Sequence, residues 1–175
     1  MKTIRAQFNI QFENLKDKTN DSQRAQLVVS GKKFKLELEG QKLYCDGSTL
    51  YTYSPEVNEV QIDQYKPEAG EINPANLFTI YESGFTATAA GQASIKKKNL
   101  TMVDLTPVDK KKNYFKIRLW IDPSTNLLQM GKVFQKSGNN IVYTINSISQ
   151  TPPANDKEFV FDKKAHPGVE VVDMR

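Results

Sequence analysis

Ile4-Arg5-Ala6-Gln7-Phe8-Asn9-Ile10-Gln11-Phe12-Glu13 is the stretch that decides the fold class. Ile4, Ala6, Phe8, Ile10 and Phe12 are apolar, and every residue between them is polar. Successive side chains of a strand point to opposite faces. A period of two held this long therefore describes an extended strand with one buried face.

The same pattern continues down the chain. Asn14 to Ser22 is polar and rich in turn formers, which reads as a loop. Ala25, Leu27 and Val29 resume the alternation, Gly31 turns, and Phe34, Leu36 and Leu38 make a third strand. Leu43 and Cys45 lead into Asp46-Gly47, a hairpin signal because glycine accepts the positive φ of a tight turn. Tyr51 and Tyr53 follow, Ser54-Pro55 breaks the strand, and Val60 and Ile62 take it up again. Asn73-Pro74 then resembles a helix start, with Asn as cap and Pro in the first turn, and Gly84 a plausible stop. A short helix carrying Leu77, Phe78 and Tyr81 is expected there. Later strands carry Leu100 and Met102, then Phe115, Ile117, Leu119 and Ile121, then Met130, then Tyr143 and Ile145. Phe159 and Phe161 read as one more short strand before the tail.

The expectation is a mainly β chain of about ten or eleven strands, read as one domain over residues 1–175. A long antiparallel meander must curl to hide its apolar face. An incomplete, half-open antiparallel barrel with the short helix as a lid satisfies that need. The candidate ligand-binding residues lie along those strands and that helix. Phe8, Ile10, Leu27, Val29, Phe34, Leu36 and Leu38 come from the first half of the meander. Tyr51, Tyr53, Leu77, Phe78 and Tyr81 come from its middle. Phe115, Ile117, Leu119, Met130, Tyr143 and Ile145 come from its end. On a concave sheet with a movable cover such residues would line a lipid-sized cavity. Any single aromatic, Trp120 and Tyr44 included, reads equally well as core.

Composition bounds the chemistry. The chain has 175 residues, 38% hydrophobic and 25% charged, with a formal charge of +4. No apolar run approaches the roughly 20 residues that span a bilayer. The lysines sit in short clusters beside turns, Lys96 to Lys98 and Lys110 to Lys112, and acidic residues interrupt every candidate stripe, so no basic stripe with stacking aromatics marks a nucleic-acid partner. One cysteine, Cys45, allows no internal disulfide and reads as a small buried hydrophobe. One histidine, His166, precedes Pro167 with no acid or nucleophile beside it. Glu37 and Glu39 alternate with Leu36 and Leu38 and belong to a solvated face. No metal spacing, nucleophile elbow or phosphate loop appears, so no enzyme, no cofactor and no metal are expected.

Two stretches resemble the LolA-like family of outer-membrane lipoprotein carriers. One is Asp46-Gly47-Ser48-Thr49-Leu50-Tyr51-Thr52-Tyr53-Ser54-Pro55 with Val57-Asn58-Glu59-Val60; the other is Phe159-Val160-Phe161 with His166-Pro167-Gly168-Val169-Glu170-Val171-Val172-Asp173. The resemblance implies a periplasmic carrier, a monomer, that shields lipoprotein acyl chains in a hydrophobic cavity. It implies as partners an inner-membrane lipoprotein-releasing transporter and an outer-membrane acceptor, and no nucleic acid. The alternative on the same fold is a lipid- or lipoprotein-sensing adaptor with no transfer role. Family members normally begin with an amphipathic helix before the first strand, whereas Met1 here stands almost on that strand, so the leading helix and the signal peptide are expected to be missing from this sequence. They also carry a lid-latching arginine before the third strand, where this chain has Gly31-Lys32-Lys33. A lysine cannot reproduce a guanidinium's planar, bidentate hydrogen bonds, and that role is not carried over.

Overall fold

A computed structural model describes residues 2–16, 19–67, 72–74, 76–82, 84–95 and 97–175. Its strands are β1 (Thr3–Asn14), β2 (Thr19–Ser30), β3 (Lys33–Leu38), β4 (Gln41–Cys45), β5 (Thr49–Ser54) and β6 (Glu59–Gln64), then β7 (Phe85–Ile95), β8 (Lys98–Pro107), β9 (Tyr114–Asp122), β10 (Leu127–Gln135), β11 (Asn139–Thr151) and β12 (Glu170–Asp173). They follow the linear order β12-β6-β5-β4-β3-β2-β1-β11-β10-β9-β8-β7, an open sheet. The pairings from β2 to β6 and from β7 to β11 are antiparallel, and β12 runs parallel to β6.

The chain divides into two compact units. The first comprises Met1–Gln7, Arg24–Leu77 and Ser147–Arg175; the second comprises Phe8–Gln23 and Phe78–Asn146. β1, β2 and β11 contribute residues to both.

In the first unit the hairpins are set by turn chemistry. The Asp46 carboxylate accepts from the Ser48 and Thr49 amides at 2.9 and 2.8 Å, and Gly47 takes φ +100°. Leu27 pairs with Leu36, which pairs with Leu43, while Val29 pairs with Phe34, which pairs with Cys45. This builds one apolar face. Leu27, Val29, Phe34, Leu36 and Cys45 on it are buried.

The opposite face of the same sheet is covered by the chain's own C-terminal segment. Tyr44, Tyr53 and Val60 pack with Phe161 and Val169 in one buried cluster, with Tyr51 against its edge. Asn58 ties the cover down. Its side chain accepts from the Tyr53 hydroxyl at 3.0 Å and donates to the Pro167 carbonyl at 3.2 Å, and its own carbonyl accepts from the Glu170 amide at 2.9 Å. β12 then pairs with β6. The two signature stretches of the sequence therefore meet, the first forming the hairpin and the second its cover.

Four expectations change. Among the described residues the strands number twelve, and β7 was not read from the sequence. Phe85-Thr-Ala-Thr-Ala-Ala-Gly-Gln-Ala-Ser-Ile95 has few large apolar side chains to alternate, since much of it is exposed. β2 starts at Thr19, inside the expected loop, because a hydrogen-bonded ladder does not require apolar side chains where the strand is solvated. Phe159 and Phe161 do not form a strand. Phe159 closes a 3-10 turn over Asp156–Phe159, whose Asn155 cap accepts from the Lys157 amide at 3.0 Å, extended Val160 follows, and both phenylalanines are buried.

The helix expected over Pro74 to Ser83 is also not an α-helix. Ala75 and Ser83 lie outside the described residues. Pro74 and Asn76–Thr79 are turns, followed by a 3-10 turn at Ile80–Glu82. Asn73 and Asn76 exchange side-chain-to-amide bonds at 3.0 and 3.1 Å, a local alternative to helical pairing. A ten-residue segment is also short of the roughly 12 residues an isolated helix needs.

Candidate functional site

The second unit contains the more continuous apolar surface. Across β7 to β11, Ala87 pairs with Leu105, Leu105 with Ile117, Ile117 with Val133, and Val133 with Ile141. The next row runs Ala89, Val103, Leu119, Gly131 and Tyr143. Phe8 of β1 joins this row, its ring 6.2 Å from that of Tyr143. Neither row contains a charge. Leu105, Ile117, Leu119, Val133 and Phe8 are buried, whereas Val103, Ile141 and Tyr143 are half-buried. Burial alone pushes the Tyr143 hydroxyl up to about 12, so it stays protonated on this face. At Gly131 an added Cβ would meet Leu119 Cδ2 at 3.7 Å, ordinary contact, so the row's one gap would also accept a methyl group.

The reverse face of the same strands is mixed. Asp104, Arg118 and Lys132 are adjacent across β8, β9 and β10. Arg118 grips Asp104 with two hydrogen bonds of 2.6 and 2.8 Å, and these, before any other cause, hold the Asp104 carboxyl below its ordinary range. Lys132 donates to Glu13 at 2.6 Å, and the Lys116 ammonium lies 4.4 Å from the Phe134 ring centre. Beside these charges are Met102, Trp120 and Met130 on consecutive strands.

The sequence-derived ligand set divides among these surfaces. Leu27, Val29, Phe34 and Leu36, with Leu38 half-buried beside them, share the apolar face of the first unit. Tyr51 and Tyr53 lie on the reverse of that sheet, under the C-terminal segment. In the second unit Phe8, Ile117, Leu119 and Tyr143 are together, Ile10 and Ile145 follow at the same parity on their strands, and Met130 is on the mixed face. Leu77 and Phe78 are half-buried in the turn region, and Tyr81 is exposed.

Phe115 departs most from its sequence reading. Tyr114 pairs with Gln135 and Lys116 with Phe134, so Phe115 is the extra residue of a β-bulge. The bulge takes it out of register with Ile117 and Leu119. Its ring packs 6.1 Å from Phe134 and is 51% exposed. Two surfaces were missed from sequence: the mixed face, and the cover over Tyr44 and Val60. Their only sequence signals were Trp120 at opposite parity to Leu119, and the Asn58 and Pro167 that the signature stretches contain.

The remaining titratable candidates have structural surroundings. Cys45 is fully buried, and desolvation pushes its thiol up to about 11, away from nucleophilic use. His166 stacks on Phe161 at 4.6 Å and meets the Tyr53 ring edge at 4.5 Å, with Nδ1 2.9 Å from the Asp162 carbonyl. Glu37 pairs with Lys35 at 2.7 Å. Among the described residues no group of three His, Cys, Asp or Glu side chains could hold a metal ion.

Comparison with known proteins gives one family. The model described as "Outer membrane lipoprotein carrier protein LolA" matches residues 1–162. No curated protein matches the chain in sequence. Among solved structures, an uncharacterized conserved protein from Thermus thermophilus aligns with TM-score 0.60 at 8% identity, over 96% of this chain and 90% of that one. A DUF1329 family protein from Desulfovibrio piger aligns with TM-score 0.50 at 9% identity, over 94% and 91% of the two chains. A LolA superfamily protein from Nitrosomonas europaea aligns with TM-score 0.48 at 15% identity, over 92% and 91%. At such identities the first two likenesses concern the fold.

Proposed function

This chain belongs to the family of outer membrane lipoprotein carrier proteins LolA, and from that premise we propose that it is a non-enzymatic carrier that shields acyl chains on its apolar strand rows. The observation that carries the reading is the pair of uncharged rows across β7 to β11, from Ala87 to Ile141 and from Ala89 to Tyr143. An acyl chain offers no hydrogen bonds. A surface that receives it must carry no polar group that would lose water without gaining a partner. The half-buried Val103, Ile141 and Tyr143 are the positions at which cargo would be felt first. Residues 1–175 act as one functional domain in this reading, located in the periplasm, as a monomer that receives cargo from an inner-membrane transporter and passes it to an outer-membrane acceptor.

The test is native mass spectrometry of protein purified from the periplasm, followed by organic extraction and titration with a triacylated lipopeptide. Co-purified acyl ligand, or saturable lipopeptide binding, is the expected result. Val103→Asn and Ile141→Asn should weaken that binding by about tenfold while the protein stays folded, one mismatched polar group costing about 1–3 kcal/mol. A clean apo mass together with indifference to added lipopeptide would overturn the carrier reading.

A further inference from the structure

We infer that one end of the second unit is a docking surface for an anionic phospholipid membrane. Three chain reversals are tied together there by hydrogen bonds. The Leu15 amide, in the turn after β1, donates to the Gly138 carbonyl of the β10–β11 turn at 3.4 Å. Lys136 of that turn reaches the β8–β9 loop twice, its amide donating to the Asn113 carbonyl at 2.8 Å and its ammonium to the Lys110 carbonyl at 2.6 Å. The Val108 amide at the start of the same loop donates to the Gly84 carbonyl at 3.0 Å.

What these reversals display is unusual for solvated loops. Leu15 is 60% exposed and Val108 is 66% exposed. Phe115, turned out by its bulge, stands just past the same β8–β9 loop. Phe12 and Tyr81 are the other exposed large hydrophobics of this unit among the described residues; one lies near the end of β1 and the other three residues before Gly84. Between them stand the lysines: Lys16 beside Leu15, Lys110 and Lys111 after Val108, and Lys136 in the third turn, all exposed. The described carboxylates at this end are Asp109, which accepts from the Lys111 amide at 2.9 Å, Glu13, which accepts from the Lys132 ammonium at 2.6 Å, Glu82, and Asp21 near the start of β2.

Apolar tips carried on separate reversals among lysines suit a lipid interface. Each apolar side chain can enter the headgroup region independently, while the ammonium groups gain from anionic lipid. A protein partner would need a surface shaped to all the tips at once. Docking of this kind does not require acyl cargo, so it stands or falls separately from the carrier reading.

The experiment is flotation of the full chain with vesicles of pure phosphatidylcholine, and with vesicles that also contain phosphatidylglycerol. Binding to the second and not the first is expected, weakened at about 0.5 M salt where surface charges are screened. The triple variant Lys16→Gln, Lys110→Gln, Lys111→Gln changes only exposed side chains. At about fivefold per lysine it should lower partitioning on the order of 100-fold. Its thermal midpoint and lipopeptide binding should match the parent. Leu15→Ser with Val108→Ser should remove the binding that survives high salt. Lys163→Gln with Lys164→Gln, in the other unit, should leave flotation unchanged. Absence of flotation with anionic vesicles, equal flotation with both kinds, or a triple variant that floats like the parent would each overturn the inference.

Discussion

Asn58 has φ +49° and joins three segments through its side chain and carbonyl. Asn58→Ala keeps the strained backbone and removes both side-chain bonds, and should cost about 2–3 kcal/mol in urea denaturation. Asn58→Gly relieves the backbone alone and should recover only part of that. Two carboxylates predict the response to acid. Arg118 holds Asp104 low and Arg5 holds Glu158 low, in each case chiefly through side-chain hydrogen bonds. A carboxyl with a depressed folded-state pKa stabilises the protein above its unfolded value near 4, and that stability is lost as pH falls through the folded value. The parent should therefore lose stability steadily below about pH 4. Asp104→Asn should be less stable at neutral pH and show a flatter profile in acid, measured as thermal midpoint against pH. None of these pairings was legible in the sequence, because Arg5 and Glu158 are far apart in it and meet only through the fold.

The strands differ in how much of their placement their own residues specify. β1 and β3 could be read directly, since a buried face alternating with a wet one is what alternation reports. β7 could not, because an exposed end strand of alanine and threonine has no buried face to mark. The difference predicts opposite mutational behaviour on neighbouring strands. Leu105→Ala on β8, at 0% exposure, should cost about 3 kcal/mol. Ala87→Lys on β7, its exposed pairing partner, should change stability by less than about 0.5 kcal/mol, both being measured by urea denaturation. Bulges also escaped the sequence. Phe115-Lys116-Ile117-Arg118-Leu119 alternates without a break in sequence, yet the ladder skips a residue at Phe115, and only the register with β10 reveals it. The helix reading failed for a related reason. Cap-like Asn73 and Pro74 start turns as readily as helices, and the segment from Leu77 to Glu82 is too short to decide between them.

For the whole molecule, the two stretches that carry the sequence resemblance build a clasp within the first unit, whereas the uncharged rows belong to the second. The hairpin around Asp46-Gly47 and the His166-Pro167-Gly168-Val169 tail hold one another, so these stretches report architecture, and the family match itself ends at residue 162, before the tail. The candidate cargo surface is made instead by ordinary valine, leucine and isoleucine, which is why the fold was legible and the division of the ligand set between faces was not. Truncation after Ala165 removes β12, Val169 and the ring of His166. It should uncover Tyr53 and Val60 and lower stability by at least about 3 kcal/mol, seen as a lower urea midpoint. Cys45 sits inside this clasped unit, sealed from solvent and held protonated. In an oxidising compartment that isolation denies it mixed disulfides with passing thiols. It also makes the chain its own clock: a maleimide can react only when β4 has parted from its neighbours, so the alkylation rate of the native protein would count those openings one by one.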